Sequence, residues 1–219
     1  QALSLVSDLH LGAAQLAASL NCVGVLCVNQ QPCIADKSMD MLCQSLELYR
    51  SCKSHDLVSI ATVLNNIGRV YYLRSEFKEA LMVYEESLQI RREFLGSDSI
   101  DVAATIYNLG QTCNQLGKQD ESLAHYKEFI KIARSVFGHR HQLRDVALVF
   151  KGIAEICHER SDLKMALYYF SKALDAQRAS DGKSSSDVAT TLNRLGNLCY
   201  EMKDFPSAMQ HYKEGLNIE

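Results

Sequence analysis

Ala61-Thr62-Val63-Leu64-Asn65-Asn66-Ile67-Gly68 returns 42 residues later as Ala103-Ala104-Thr105-Ile106-Tyr107-Asn108-Leu109-Gly110. The block recurs as Ala147-Leu148-Val149-Phe150-Lys151-Gly152-Ile153-Ala154 and as Ala189-Thr190-Thr191-Leu192-Asn193-Arg194-Leu195-Gly196, at further spacings of 44 and 42. A weaker fifth copy stands upstream, where Ala17, Leu20, Asn21 and Gly24 precede Ala61, Leu64, Asn65 and Gly68 by 44 residues. A period of this length is the signature of stacked supersecondary units.

The second half of each unit repeats as well. Phe77, Ala80, Tyr84 and Leu88 correspond to Ser122, Tyr126 and Ile130, then to Leu163, Ala166, Phe170 and Leu174, then to Phe205, Ala208, Tyr212 and Leu216. Steps of three and four place these residues on one helical face. Each unit therefore reads as two helices, A and B, joined by a polar turn such as Arg74-Ser75-Glu76. Gly68, Gly110, Ala154 and Gly196 in helix A precede Ala80, Ser122, Ala166 and Ala208 in helix B by 12 residues, and these small residues allow close packing.

Composition agrees with an all-α class. The 219 residues include 11 Gly and 2 Pro, too few for the many turns of an all-β protein. At 47% hydrophobic and 22% charged residues the chain is soluble and globular, and a chain this long buries roughly 70% of its unfolded surface when compact. A formal charge of -3 with no basic block argues against nucleic acid. The most apolar stretch, Ala13 to Val28, contains Gln15, Ser19 and Asn21 and falls short of the ~20 residues of a membrane span. The first Lys or Arg is Lys37, so no signal peptide is expected within this stretch and any targeting information lies outside it. Starting at Gln1 and ending within an amphipathic pattern, the chain reads as a piece of a longer protein.

Leu64, Ile67-Gly68, Tyr71, Ala80 and Tyr84 resemble the tetratricopeptide repeat position by position. The 42-residue version resembles the repeats of kinesin light chains and nephrocystin-type proteins, on Asp187-Val188-Ala189-Thr190-Thr191-Leu192-Asn193-Arg194-Leu195 and on Ile90-Arg91-Arg92-Glu93-Phe94-Leu95-Gly96. The expected fold is a right-handed α-solenoid of stacked antiparallel helix pairs, with the A helices lining its concave surface. Expected boundaries are 1–12 for the tail of a preceding helix or an N-terminal flank, and 13–55 for a degenerate first repeat whose second aromatic has no assigned place. Repeats at 56–98, 99–142, 143–184 and 185–219 follow, the last truncated. Gly in the loops between repeats suits a helix terminus, and Asp101, Asp145 and Asp187 open the following A helices as caps or first-turn acids.

Eight cysteines raise the question of a metal or disulfide framework. Cys27, Cys113, Cys157 and Cys199 occupy one repeat position that holds Tyr71 in the second repeat, which reads as packing. Equivalent residues one helix layer apart, roughly 8–10 Å, are too distant for a disulfide. Reduced thiols point to a cytoplasmic protein. His139 and His141 lack neighbouring ligands, and His158-Glu159 lacks the second His of a zinc-protease motif. With no nucleophile elbow or phosphate loop, the chain reads as no enzyme, with no cofactor and no metal.

The groove remains. Positions three and two before the small residue of helix A, then one and four after it, are expected to face it. These are Asn65, Asn66, Arg69 and Tyr72; Tyr107, Asn108, Gln111 and Asn114; Lys151, Gly152, Glu155 and His158; and Asn193, Arg194, Asn197 and Tyr200. Amides there hydrogen-bond a peptide backbone, while Arg and Lys pair with acidic groups; alternatively the Asn residues bond only to neighbouring helices. By resemblance, kinesin light chains bind short acidic peptides with an aromatic anchor. The carboxylate clamp of chaperone-binding relatives needs Lys where Ala61 stands. The expected function is a scaffold or adaptor that binds a protein or peptide partner through an acidic linear motif. The rival reading is an oligomerisation or autoregulatory array attached to an enzyme or nucleotide-switch domain outside this fragment.

Overall fold

The computed structural model describes residues 2–30, 35–52, 56–137, 143–180 and 185–218. Among them are ten helices and no strand: α1 (Ala2–Gln30), α2 (Ala35–Ser51), α3 (Leu57–Leu73), α4 (Phe77–Leu95), α5 (Ile100–Gln115), α6 (Gln119–Phe137), α7 (Leu143–Glu159), α8 (Leu163–Ser180), α9 (Ser186–Glu201) and α10 (Phe205–Leu216). The chain divides into two compact units, Gln1–Lys118 and Gln119–Glu219. The first stacks α1 to α5 and the second α6 to α10, each with neighbouring helices packed in chain order. This is the all-α stack of helix pairs that the repeat implies.

The boundary expected at residues 12–13 falls inside α1, which runs unbroken from Ala2. An isolated Gly12, with open space around its α-carbon, costs a helix only about 1 kcal/mol and does not end it. The missing aromatic of the first repeat is also placed. Leu42 is fully buried where the other repeats have Tyr84, Tyr126, Phe170 and Tyr212, and it packs on Gly24 as Tyr84 packs on Gly68. Ser38 is then the small residue of its B helix, and its hydroxyl donates to the Gly24 carbonyl at 2.7 Å.

Buried clusters follow from this packing. In the first unit Leu42, Tyr49, Ile60, Val63, Leu64 and Val70 pack together, and in the second Phe170, Leu174, Val188, Leu192, Leu195 and Leu198 do so. The thiols fit in part: Cys113 and Cys199 are buried, whereas Cys27 and Cys157 are only half-buried, and none of the four is in a disulfide. Burial pushes the Cys157 and Cys199 thiols above their ordinary pKa, with Asp162 and Asp204 respectively adding to the shift.

Helix ends are locally encoded. Asp56 caps α3, and Ser99 and Ser185 cap α5 and α9, each accepting a backbone N–H three residues on. Asp101, Asp145 and Asp187 lie in the first turns that follow. Each A helix before residues 75, 117, 161 and 203 ends in the same turn. The N–H of Glu76, Lys118, Asp162 or Asp204 donates to the carbonyl five residues back, and the residue before it has a left-handed φ.

Ion pairs recur with the repeat. Arg50 donates to Glu86 at 3.0 Å and Arg178 to Glu214, in each case from one B helix to the next. Arg74 pairs with Asp36, and Arg160 with Asp120 at 2.8 Å, from the end of an A helix to the preceding B helix. Arg91 is buried instead. Its Nη1 donates to the Asp101 carbonyl and to Thr105 Oγ1, both at 2.7 Å, tying α4 to the start of α5. Burial lowers its pKa, opposed by Asp101.

Candidate functional site: the exposed sides of the A helices

The sixteen positions expected to face one groove divide by the neighbour each one meets. Asn66 Nδ2 donates to Asn21 Oδ1 at 2.8 Å, and Asn108 Nδ2 to Asn65 Oδ1 at 3.2 Å. The position three before the small residue thus meets the following A helix, and the position two before it meets the preceding one. Consecutive helical residues point about 100° apart, so the two flank the helix and do not share a face. Gly152, at the same position, is buried too but meets the preceding B helix instead: a methyl group there would lie 2.8 Å from the Tyr126 ring of α6. The structural use of Asn65, Asn66 and Asn108 is therefore real. A carboxamide has more hydrogen-bonding places than one such bond fills, so capacity for a ligand remains.

In the first unit Arg69 is exposed, and Tyr72, Tyr107, Gln111 and Asn114 are half-buried. Gln111 Nε2 donates to the Tyr107 hydroxyl at 2.7 Å. The Tyr72 ring stacks edge-on against Phe77 with centroids 5.4 Å apart, and Tyr200 does the same with Phe205 at 5.5 Å, which closes the turn between helices A and B.

In the second unit Glu155, Arg194 and Asn197 line one cleft of about 410 Å³ together with His158, Glu159, Glu201, Phe170 and Leu198. His158 Nε2 lies 2.9 Å from Glu201 Oε2, and Glu159 accepts from Gln119 Nε2 at 2.7 Å. Asn197 Oδ1 accepts from the Tyr212 hydroxyl at 2.7 Å, which anchors it to α10. Lys151 and Asn193 are not among the lining residues; a methyl group on Gly215 would lie 3.0 Å from Asn193 Oδ1, so that side chain leans toward its own B helix.

In this cleft carboxylates outnumber cations, whereas the sequence led us to expect Arg and Lys facing an acidic motif. Three carboxylates, Glu155, Glu159 and Glu201, face Arg194 and His158. Glu159 and Glu201 stand five residues after the small residue, one helical turn beyond the expected contact position and on its side of the helix. Leu73 and Gln115 hold that place in the second and third repeats, so no periodic charge draws attention to it. His139 and His141 lie outside the described residues.

Residues 59–135 and 145–218 match the tetratricopeptide repeat family model, and the chain belongs to that family. Its repeats are in general non-catalytic protein-interaction modules. The fold is shared with BtubC (BKLC) from P. vanneervenii, at a TM-score of 0.76 and 19% identity over 97% of this chain and 90% of that one. Nearly identical TPR-like repeats of a Podosopora anserina protein assigned as a kinesin light chain superpose with a TM-score of 0.67 at 13% identity, covering 94% of this chain and 93% of the other. The Rap conjugation gene regulator of the plasmid pLS20, solved in complex with the Phr* peptide, gives a TM-score of 0.64 at 15% identity over 84% of this chain and 48% of the regulator. Among curated proteins no sequence match is found. No helix among the described residues is long and apolar enough to cross a membrane.

Proposed function

We propose that the chain is a non-catalytic scaffold whose A helices hold an extended peptide segment of a protein partner, in the reducing cytoplasm where its thiols stay free. The observation that carries this reading is the 410 Å³ cleft, where Glu155, Arg194 and Asn197 come together from two successive repeats. A fold relative solved in complex with a peptide supports the same use of such a stack. Three carboxylates against Arg194 and His158 favour a segment with a Lys or Arg side chain in this cleft. That is opposite in sign to the acidic motif suggested by resemblance. Amides of the first unit, Asn65, Asn108 and Gln111, suit a peptide backbone irrespective of its side chains.

A peptide-library selection on the whole chain, followed by titration of variants, tests the reading. Basic peptides are expected among those enriched, with affinities of about micromolar Kd, as for linear motifs in general. Glu155→Lys should weaken them about tenfold or more, while Arg194→Glu should keep or improve binding. If no enriched peptide responds to Glu155→Lys, the cleft is not the site.

A further inference from the structure

The B helices carry a charge pattern with one break. Twelve residues after the small residue of successive B helices stand Arg50, Arg92, Arg134 and Arg178; six residues after the small residue of the next B helix stand Glu86, Glu128, Lys172 and Glu214. Arg50 pairs with Glu86 and Arg178 with Glu214. Between α6 and α8 the corresponding residues are Arg134 and Lys172, two cations where the other positions combine a cation with a carboxylate.

Both of these cations line one cavity of about 360 Å³, together with Lys127 and the rings of Phe150, Tyr168 and Tyr169. Its lining residues include three cations and no carboxylate. Phe150 is only half-buried, although its equivalents Leu64, Ile106 and Leu192 are buried core residues. Its ring lies 6.1 Å from that of Tyr169, and the Lys172 ammonium lies 5.7 Å from the Tyr168 ring centroid. The site thus offers a cationic rim over an aromatic wall. A bare inorganic ion would satisfy the rim and leave the wall uncovered.

We infer that this cavity binds a carboxylate-rich segment of a protein partner. A Glu or Asp of the partner supplies the anion that Glu86 and Glu214 supply in their own pairs, and an adjacent apolar side chain of the same segment covers Phe150 and Tyr169. The site lies on the B-helix side and is independent of the cleft between α7 and α9.

The test uses the whole chain and a fluorescently labelled Asp-Glu-Phe-Glu-Asp peptide, read by anisotropy. Wild type should bind it. Lys172→Glu, which puts a carboxylate opposite Arg134, should weaken binding about tenfold or more without lowering the melting temperature. Arg134→Gln, which removes the facing charge, should weaken it in the same direction and serves if the first variant folds poorly. Glu155→Lys should leave this binding unchanged, which separates the site from the A-helix cleft. No binding by wild type, unchanged affinity in Lys172→Glu and Arg134→Gln, or loss in Glu155→Lys would each overturn the assignment. Displacement of the peptide by acetate at equal carboxylate concentration would reduce the site to a free-anion contact, and so would overturn it too.

Discussion

A methyl group on Gly68 would lie 2.7 Å from the Tyr84 ring, and one on Gly24 would lie 3.0 Å from Leu42 Cγ. Carbon atoms at their optimal separation are about 3.5–4.0 Å apart, so both sites are tight, but a ring fixed among core residues yields less than the branched end of a leucine. Gly68→Ala is expected to destabilise by about 1–2 kcal/mol even after the ~1 kcal/mol that alanine gains in helix propensity, and Gly24→Ala to be near neutral. Urea unfolding midpoints of the two variants decide it; equal midpoints would show that Leu42 and Tyr84 yield alike. The same contact explains what could be read at this scale. Gly68 with Tyr84 is legible in the sequence because a small residue and an aromatic recur at fixed offset. Leu42 is hidden, because a leucine in an apolar helix is unremarkable and the first repeat has two extra residues between Gly24 and Ser38 compared with the 12-residue offset elsewhere. Arg91 is hidden too: an arginine among the charges of a helix end gives no sign that it is buried, with Gln177 at the corresponding place in α8.

Helix boundaries come from caps and turns, and here one turn is made at four positions with three residue types. Ser75, Gly117, Ser161 and Lys203 all have φ between 61° and 73°, the left-handed region that non-glycine residues enter at a cost. Only the third repeat uses glycine. Lys203→Gly is therefore expected to stabilise by about 1 kcal/mol, provided the loosened unfolded chain does not offset it, and Gly117→Ala to destabilise by about the same amount, since nothing lies near that α-carbon except its own strained backbone. Thermal unfolding of the two variants should move in opposite directions. A Lys203→Gly protein no more stable than wild type would mean that the turn hydrogen bonds, Asp204 N–H to the Cys199 carbonyl among them, already hold the left-handed residue at little cost. At this scale the sequence is most informative, because periodic apolar positions define each helix and Ser99, Ser185 and Asp56 announce their starts. Which neighbour each polar A-helix residue meets is not legible from one helix. Asn65 and Asn66 are adjacent in the chain, yet one bonds to α5 and the other to α1, a distinction that only the stacking of helices creates.

A net charge of -3 over the whole chain conceals an opposition within the second unit. Glu155, Glu159 and Glu201 outweigh Arg194 and His158 in the cleft, while Lys127, Arg134 and Lys172 line the cavity on the B-helix side without a carboxylate. Summed charge cannot distinguish this arrangement from an even mixture, and a ligand attracted only by the summed charge would be basic wherever it bound. The two can be separated by exchanging charges between the sites. Glu155→Lys changes the formal charge by +2 and Lys172→Glu by -2, so the double variant stays at -3. If binding depends on local arrangement, the double variant should lose both the basic peptides of the cleft and the acidic peptide of the cavity. Each loss should match that of the corresponding single variant within about 0.5 kcal/mol, as for independent sites. Both interactions should also weaken as salt is raised toward 1 M, where the screening length falls from about 8 to 3 Å. Titrating the two labelled peptides separately against wild type, both single variants and the double variant reads all of this. A double variant that binds both peptides as wild type does would show that total charge governs recognition, and neither surface would then be a site.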